Sequence, residues 1–125
     1  MGWSVEHNQK ENIMVLTYEG IISFREIVES SIANINQANE HNCIRMLVVC
    51  TYLMIDAKRT ELFELPNSLY VKWGMNPDTK IALTEPKDSK GKEMVKFYVF
   101  ATKNLGWNAN MFNNRKKALM WLRAK

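Results

Sequence analysis

Two short, almost uninterrupted apolar runs, separated by a segment of helical character, constrain this chain more than any other feature. The runs are "IRMLVVCT" at 44–51 and "KIALTE" at 80–85. Short aliphatic and β-branched runs of this kind suit strands covered on both faces, as in parallel sheet. Parallel strands need crossover connections, and crossovers pack helices onto the sheet.

The rest of the chain agrees with that frame. Trp3, Val5 and His7 alternate with Ser4, Glu6 and Asn8, which predicts a half-buried strand. A polar turn at 9–12 leads into "IMVLTY" at 13–18, so the two strands are expected to form an antiparallel hairpin that Gly20 ends. Ser23 and Glu26 have the spacing of a capping box, and Phe24, Ile27, Val28, Ser31, Ile32, Ile35 and Ala38 recur at helical steps. After residue 51, Asp56 or Thr60 is expected to cap a second helix carrying Leu62, Phe63 and Leu65. Pro66 is expected to interrupt it, with another turn or two before Gly74. Asp88 or Ser89 opens the next helix, whose stripe is Met94, Phe97, Tyr98, Ala101 and Leu105, with Gly106 at its end. "NANMF" at 108–112 reads as the last strand, and Asn113 or Asn114 starts a final helix with Ala118, Leu119 and Leu122 inward and Trp121 beside them. The predicted order is β-β-α-β-α-β-α-β-α. It describes a single α/β domain over 1–125, mostly parallel, with an antiparallel N-terminal hairpin strand at or near an edge.

At 125 residues and 46% hydrophobic content the chain can bury one real core. Net charge is +4, with basic residues scattered apart from Lys87/Lys90/Lys92/Lys96 and Arg115/Lys116/Lys117. No nucleic-acid-binding stripe results. These clusters read as solvated helix faces, or as a weak attraction for anionic lipid or an acidic partner. On one strand, Cys43 and Cys50 would sit on opposite faces roughly 23 Å apart, beyond the about 7 Å reach of a disulfide. Both are read as free thiols of a reducing compartment. The opening "MGWSVEHNQK" has no apolar signal core, and Glu6 stands where a myristoylation signal has Ser or Thr. No apolar stretch is long enough to span a bilayer. A cytoplasmic location is therefore expected.

Chemistry-bearing patterns are few. His7 and His41 share no ligand spacing with cysteines or carboxylates, so no metal site and no cofactor are expected. There is no nucleophile elbow, Walker loop or dinucleotide-binding glycine motif. Cys50, inside a strand, is expected to be buried and inert. No catalytic residue is assigned, and the chain reads as a non-enzyme.

Several segments together resemble the small bacterial SpoIIAA-like family, related to the STAS domain of anti-sigma-factor antagonists and to the lipid-binding CRAL-TRIO fold. They are the "YEG" hairpin end at 18–20, the "MLVVC" strand leading to Asp56 and a helix, and the "KIAL" strand followed by a helix with "KFYVFA". The ending "MFNNRKKALMWLRAK" is similar to the family's close, here with Ala118, Trp121 and Leu122. The resemblance spans essentially the whole chain and implies a STAS-like, SpoIIAA-like fold. It also implies a phosphorylatable serine at the start of the helix after the central strand, where Asp56 is followed instead by Ala57 and Lys58. The usual acceptor is missing.

Ligands of open α/β sheets bind outside the carboxyl ends of the strands. Thr51 and Tyr52, at the expected end of one strand, and Glu85, at the end of its neighbour, are the residues to line such a site. Asp56 and Thr60 are candidates for a partner surface, although both residue types cap helices routinely. Trp73, Phe97 and Tyr98 are candidates for an apolar pocket. Two functions follow: a regulatory module that binds a protein partner or a second copy near 51–63, or a carrier or sensor of a small apolar, lipid-like ligand held between sheet and helices.

Overall fold

The strands are β1 (Trp3–Asn8), β2 (Ile13–Ser23), β3 (Arg45–Asp56), β4 (Lys80–Thr84) and β5 (Asn108–Phe112). The helices are α1 (Phe24–Glu40), α2 (Arg59–Glu64), α3 (Tyr70–Lys72), α4 (Ser89–Asn104) and α5 (Arg115–Arg123), with a π-helical turn at Leu65–Leu69 joining α2 to α3. This computed structural model describes residues 2–124. The sheet order is β1-β2-β3-β4-β5, with β1 antiparallel to β2 and every later pair parallel. Strand order in space therefore matches strand order in the chain. With right-handed crossovers, each connecting helix falls on the same face.

That face holds the main core. Ile27 and Ile35 from α1, Leu62 from α2, Tyr70 from α3 and Met94 and Tyr98 from α4 meet Met14, Leu16, Val48, Cys50 and Ile81 from the strands. The other face is covered by α5 alone, where Ala118 and Leu122 pack on Ile13, Leu47 and Ala82. α5 follows the last strand and is free to turn back across it. Lys80 Nζ donates to the Trp121 carbonyl at 2.6 Å, which fixes the end of α5 at the start of β4.

Capping chemistry sets three helix starts as expected, among them α5, where Asn114 Oδ1 accepts from Lys117 N–H at 2.9 Å. Ser23 and Glu26 form the reciprocal box of α1: Glu26 N–H donates to Ser23 Oγ (3.2 Å) and Ser23 N–H to Glu26 Oε1 (3.3 Å). Asp88 Oδ2 accepts from Gly91 N–H at 2.8 Å to open α4. Gly91 sits close to the sheet, and a Cβ there would lie 3.1 Å from the Leu53 carbonyl oxygen.

Five expectations need correction. Gly20 does not end β2; it takes φ +81° inside a strand that runs on to Ser23. β3 does not stop at Thr51 but continues to Asp56, because Leu53 and Ile55 keep facing the core while Tyr52, Met54 and Asp56 face out. Neither Asp56 nor Thr60 caps α2: the N-cap is Lys58, whose N–H donates to Glu61 Oε1 at 2.8 Å. Pro66 widens the helix without breaking it. It has no N–H for the preceding turn, and the chain accommodates the ring with one π turn closed by Tyr70 N–H on the Leu65 carbonyl. Finally, Cys43 precedes β3, so strand alternation does not reach it. Both cysteines are free and buried in the same core cluster, and Cys43 Sγ meets the Asn12 carbonyl at 3.1 Å.

Candidate functional site

β3 pairs with β4 only over Arg45–Val48, whereas its pairing with β2 runs on to Asp56. The carboxyl halves of β2 and β3 thus project as a two-stranded arm beyond β4. An irregularity marks its root: Thr17 faces Val49 but Glu19 faces Tyr52, so β3 carries one extra residue. The bulge shifts the alternation of β3 by one, which is why Cys50 and Leu53 both point into the core. Thr84, 1% exposed, supports this point. Its Oγ1 accepts from Cys50 N–H at 2.8 Å and lies 3.2 Å from Thr51 Oγ1. Lys87 N–H then donates to the Thr51 carbonyl at 3.0 Å.

The arm's outer face is apolar and uncovered. Ile21 pairs with Met54, and Glu19 with Tyr52. Exposures are 68% for Ile21, 62% for Tyr52 and 47% for Met54, high for large apolar side chains on a sheet. α5 packs on this side of the sheet but runs toward the opposite end. Lys87 Nζ lies 5.0 Å from the centre of the Tyr52 ring. The patch is therefore bordered by a cation at Lys87 and a carboxylate at Glu19. Glu85 donates its N–H to the Phe112 carbonyl at 2.8 Å and pairs its carboxylate with Lys92 at 3.0 Å.

The candidates read from the sequence thus separate into distinct places. Thr51, Tyr52 and Glu85 stand at the arm's root and along the β4–α4 connection. Asp56 is at the arm's tip, paired with Ser23, and Thr60 is exposed on the first turn of α2. Ile21 and Met54 complete the patch and were not singled out from the sequence. Residues 52–55 form an unbroken apolar run in the sequence, so only the strand pairing shows which of them face outward.

Between the sheet and the helices on its main face lies a cavity of about 70 Å³. Of Trp73, Phe97 and Tyr98, only Tyr98 lines it. Phe97 lies under the Arg59 guanidinium at 5.5 Å, and Trp73 packs against Tyr70. Around the cavity, Tyr70 and Tyr98 share a hydrogen bond through their hydroxyls, and Tyr18 bonds Ser30. Burial pushes the Cys50 thiol up to about 12 and the Tyr98 phenol to about 12, and raises Tyr18 and Tyr70 as well. All four are protonated near neutrality, so none offers an activated nucleophile or base. Asn34, 3% exposed, also lines the cavity; its Nδ2 donates to Met46 Sδ at 3.4 Å and its Oδ1 has no partner.

Among the described residues, no cluster of three or more His, Cys, Asp or Glu side chains is placed to hold a metal ion. The two histidines do meet: the His7 and His41 rings stack at 3.8 Å, with His7 Nε2 on Asn12 Oδ1 at 2.7 Å. Among the described residues, no helix is long and apolar enough to cross a membrane.

No family model matches the sequence, and neither does any curated protein. A solved structure that it resembles is that of an uncharacterised protein of the DUF3478 family with a SpoIIAA-like fold, from Shewanella loihica PV-4. The two superpose with a TM-score of 0.59 at 16% identity, over 96% of this chain and 91% of the other. The architecture described above is thus a SpoIIAA-like fold.

Proposed function

We propose that this chain is a non-enzymatic, cytoplasmic regulatory module that works by binding a protein partner through the outer face of the arm. The observation that carries the reading is the row of exposed apolar side chains, Ile21, Met54 and Tyr52, held side by side on rigid strands. A patch of this kind bordered by charge marks an interaction surface more often than a solvent face. The SpoIIAA-like fold supports the regulatory part of the reading through the resemblance to anti-sigma-factor antagonists. Without a serine at the start of α2, partner choice here rests on the arm's shape and charge rather than on a phosphoserine. A lipid-like cargo fits poorly, because about 70 Å³ is less than half the roughly 150 Å³ that receives benzene.

The test is photo-cross-linking in cells, with a benzophenone amino acid in place of Tyr52 and a control at exposed Lys116. The reading expects one discrete adduct from position 52 that Ile21→Lys removes, and its mass identifies the partner as a second copy or another protein. A smear of adducts shared with the control, or a discrete adduct indifferent to Ile21→Lys, overturns it.

A further inference from the structure

We infer that the occupant of the arm's outer face is a second copy of this chain, placed there by a two-fold axis along the Ile21–Met54 row; this rests on the arm being the interaction surface proposed above. The arm is laid out evenly about that row. Glu19 and Tyr52 form the row two residues toward the root, and Ser23 and Asp56 the row two residues toward the tip. A two-fold axis along the central row sets Ile21 on Ile21 and Met54 on Met54, and brings the tip row of each copy onto the root row of the other. The charges match in that register. Lys87, its Nζ 5.0 Å from the centre of the Tyr52 ring, stands at the root, and Asp56 stands at the tip. Both are exposed, and among the described residues neither has an ion-pair partner in its own chain. In the pair, each Lys87 meets the Asp56 of the other copy, with the Tyr52 hydroxyl beside it.

The position of α5 dictates the direction of approach. A second layer packs about 10 Å above a sheet. Over the other half of this face α5 already fills that layer, on Ile13, Leu47 and Ala82. A copy arriving with its strands parallel would drive each α5 into the sheet of the other. With the strands antiparallel, the body of each copy lies beyond the tip of the other's arm, and the two α5 helices flank the overlap. Only the antiparallel approach also sets Lys87 against Asp56. A few large side chains from each copy make a small interface, which places the dimer at the weak end of specific association, with a Kd of about 10–100 μM.

The experiment is sedimentation equilibrium of the native chain from about 5 to about 500 μM, a range that brackets such a Kd. A reversible monomer–dimer equilibrium is expected. Ile21→Lys, at an exposed position, should leave monomer throughout. Lys87→Glu and Asp56→Lys should each weaken the dimer about tenfold, because each puts two like-charge contacts in place of two ion pairs. An equimolar mixture of those two variants should recover the native affinity, since in a mixed pair the exchanged charge of each copy faces its opposite on the other. A native chain that is monomeric at the highest concentration, a dimer indifferent to Ile21→Lys, or a mixture no tighter than its components overturns the inference. If the native chain is monomeric while cross-linking from position 52 gives a discrete adduct with a different protein, lost on Ile21→Lys, the second copy is refuted and the interaction surface stands. A monomeric chain together with a smear of adducts from position 52 refutes both.

Discussion

The hydroxyl pair of Tyr70 and Tyr98 ties α3 to α4 and can be dissected with three variants. The two residues are 5% and 8% exposed, and their oxygens lie 2.5 Å apart. Tyr98→Phe deletes one oxygen and leaves the Tyr70 hydroxyl buried with no partner; Tyr70→Phe does the reverse. An orphaned buried hydroxyl is destabilising by about 1–3 kcal/mol, with about 1.5 as a working value. For 125 residues, an unfolding entropy of about 2.1 cal/mol/K per residue turns 1.5 kcal/mol into a Tm fall of about 6 °C. The double variant leaves no orphan. It should lose only the net value of one hydrogen bond, about 1 kcal/mol, instead of the roughly 3 kcal/mol that two independent losses would give. Thermal and urea unfolding of the four proteins, followed by circular dichroism, measures the coupling. If the single losses simply add in the double variant, the pair contributes nothing as a pair, and the polar link between these helices is not what holds them.

Stability should also fall in alkali. Burial raises Cys50 from its ordinary 9.0 to about 12 and Tyr98 from 10.0 to about 12, so the folded state holds protons that the unfolded chain releases. This contribution is complete below pH 9 and is lost as pH climbs from about 9 toward 12. At pH 10.5 the Cys50 share is about 2 kcal/mol. A urea midpoint flat from pH 8 to 10.5 would count against it, and Cys50→Ala should flatten the earliest part of the decline. Leu122→Ala empties a side chain 1% exposed in the small cluster under α5, and should reduce unfolding free energy by about 2–5 kcal/mol; a loss under 1 kcal/mol would show that α5 is dispensable for the second face. Gly91→Val should lower Tm well beyond what helix propensity explains, since its Cβ alone would press on the Leu53 carbonyl at 3.1 Å. An unchanged Tm there would mean that α4 shifts freely on β3.

Legibility followed periodicity and capping chemistry. The runs at 44–51 and 80–85, the stripes of α1 and α4, and the caps at Ser23 and Asp88 each point to one local solution, and the fold repeats it. Boundaries failed where a local sign had two meanings. Thr51 and Tyr52 look like the polar end of a strand, but the bulge beside them only changes which residues face inward. Pro66 looks like a stop, yet a π turn absorbs it. Lys58 is not a capping residue type, and Glu61 alone satisfies its N–H. The candidate site was half visible. Tyr52 was found from its place near a strand end, while Ile21 and Met54 depend on a cross-strand register that no single segment shows. Asn34 reads as a surface residue by type; only its spacing from Ile27 and Ser31 places it on the inner face of α1.

The match between spatial and chain order of the strands has a consequence for synthesis. As the chain leaves the ribosome, each new strand finds its neighbour already made and pairs with an open edge; none has to be threaded between two strands already joined. Growth can then proceed from the N-terminal hairpin outward, one strand and its helix at a time, with one crossover to the neighbouring strand to close at each stage. The second face is the exception. Ile13, Leu47 and Ala82 come from early, middle and late parts of the chain and wait uncovered until Arg115–Arg123 emerges. Until Arg115–Arg123 docks, the finished sheet keeps one apolar face open to solvent, so the last helix is the piece that closes the second core.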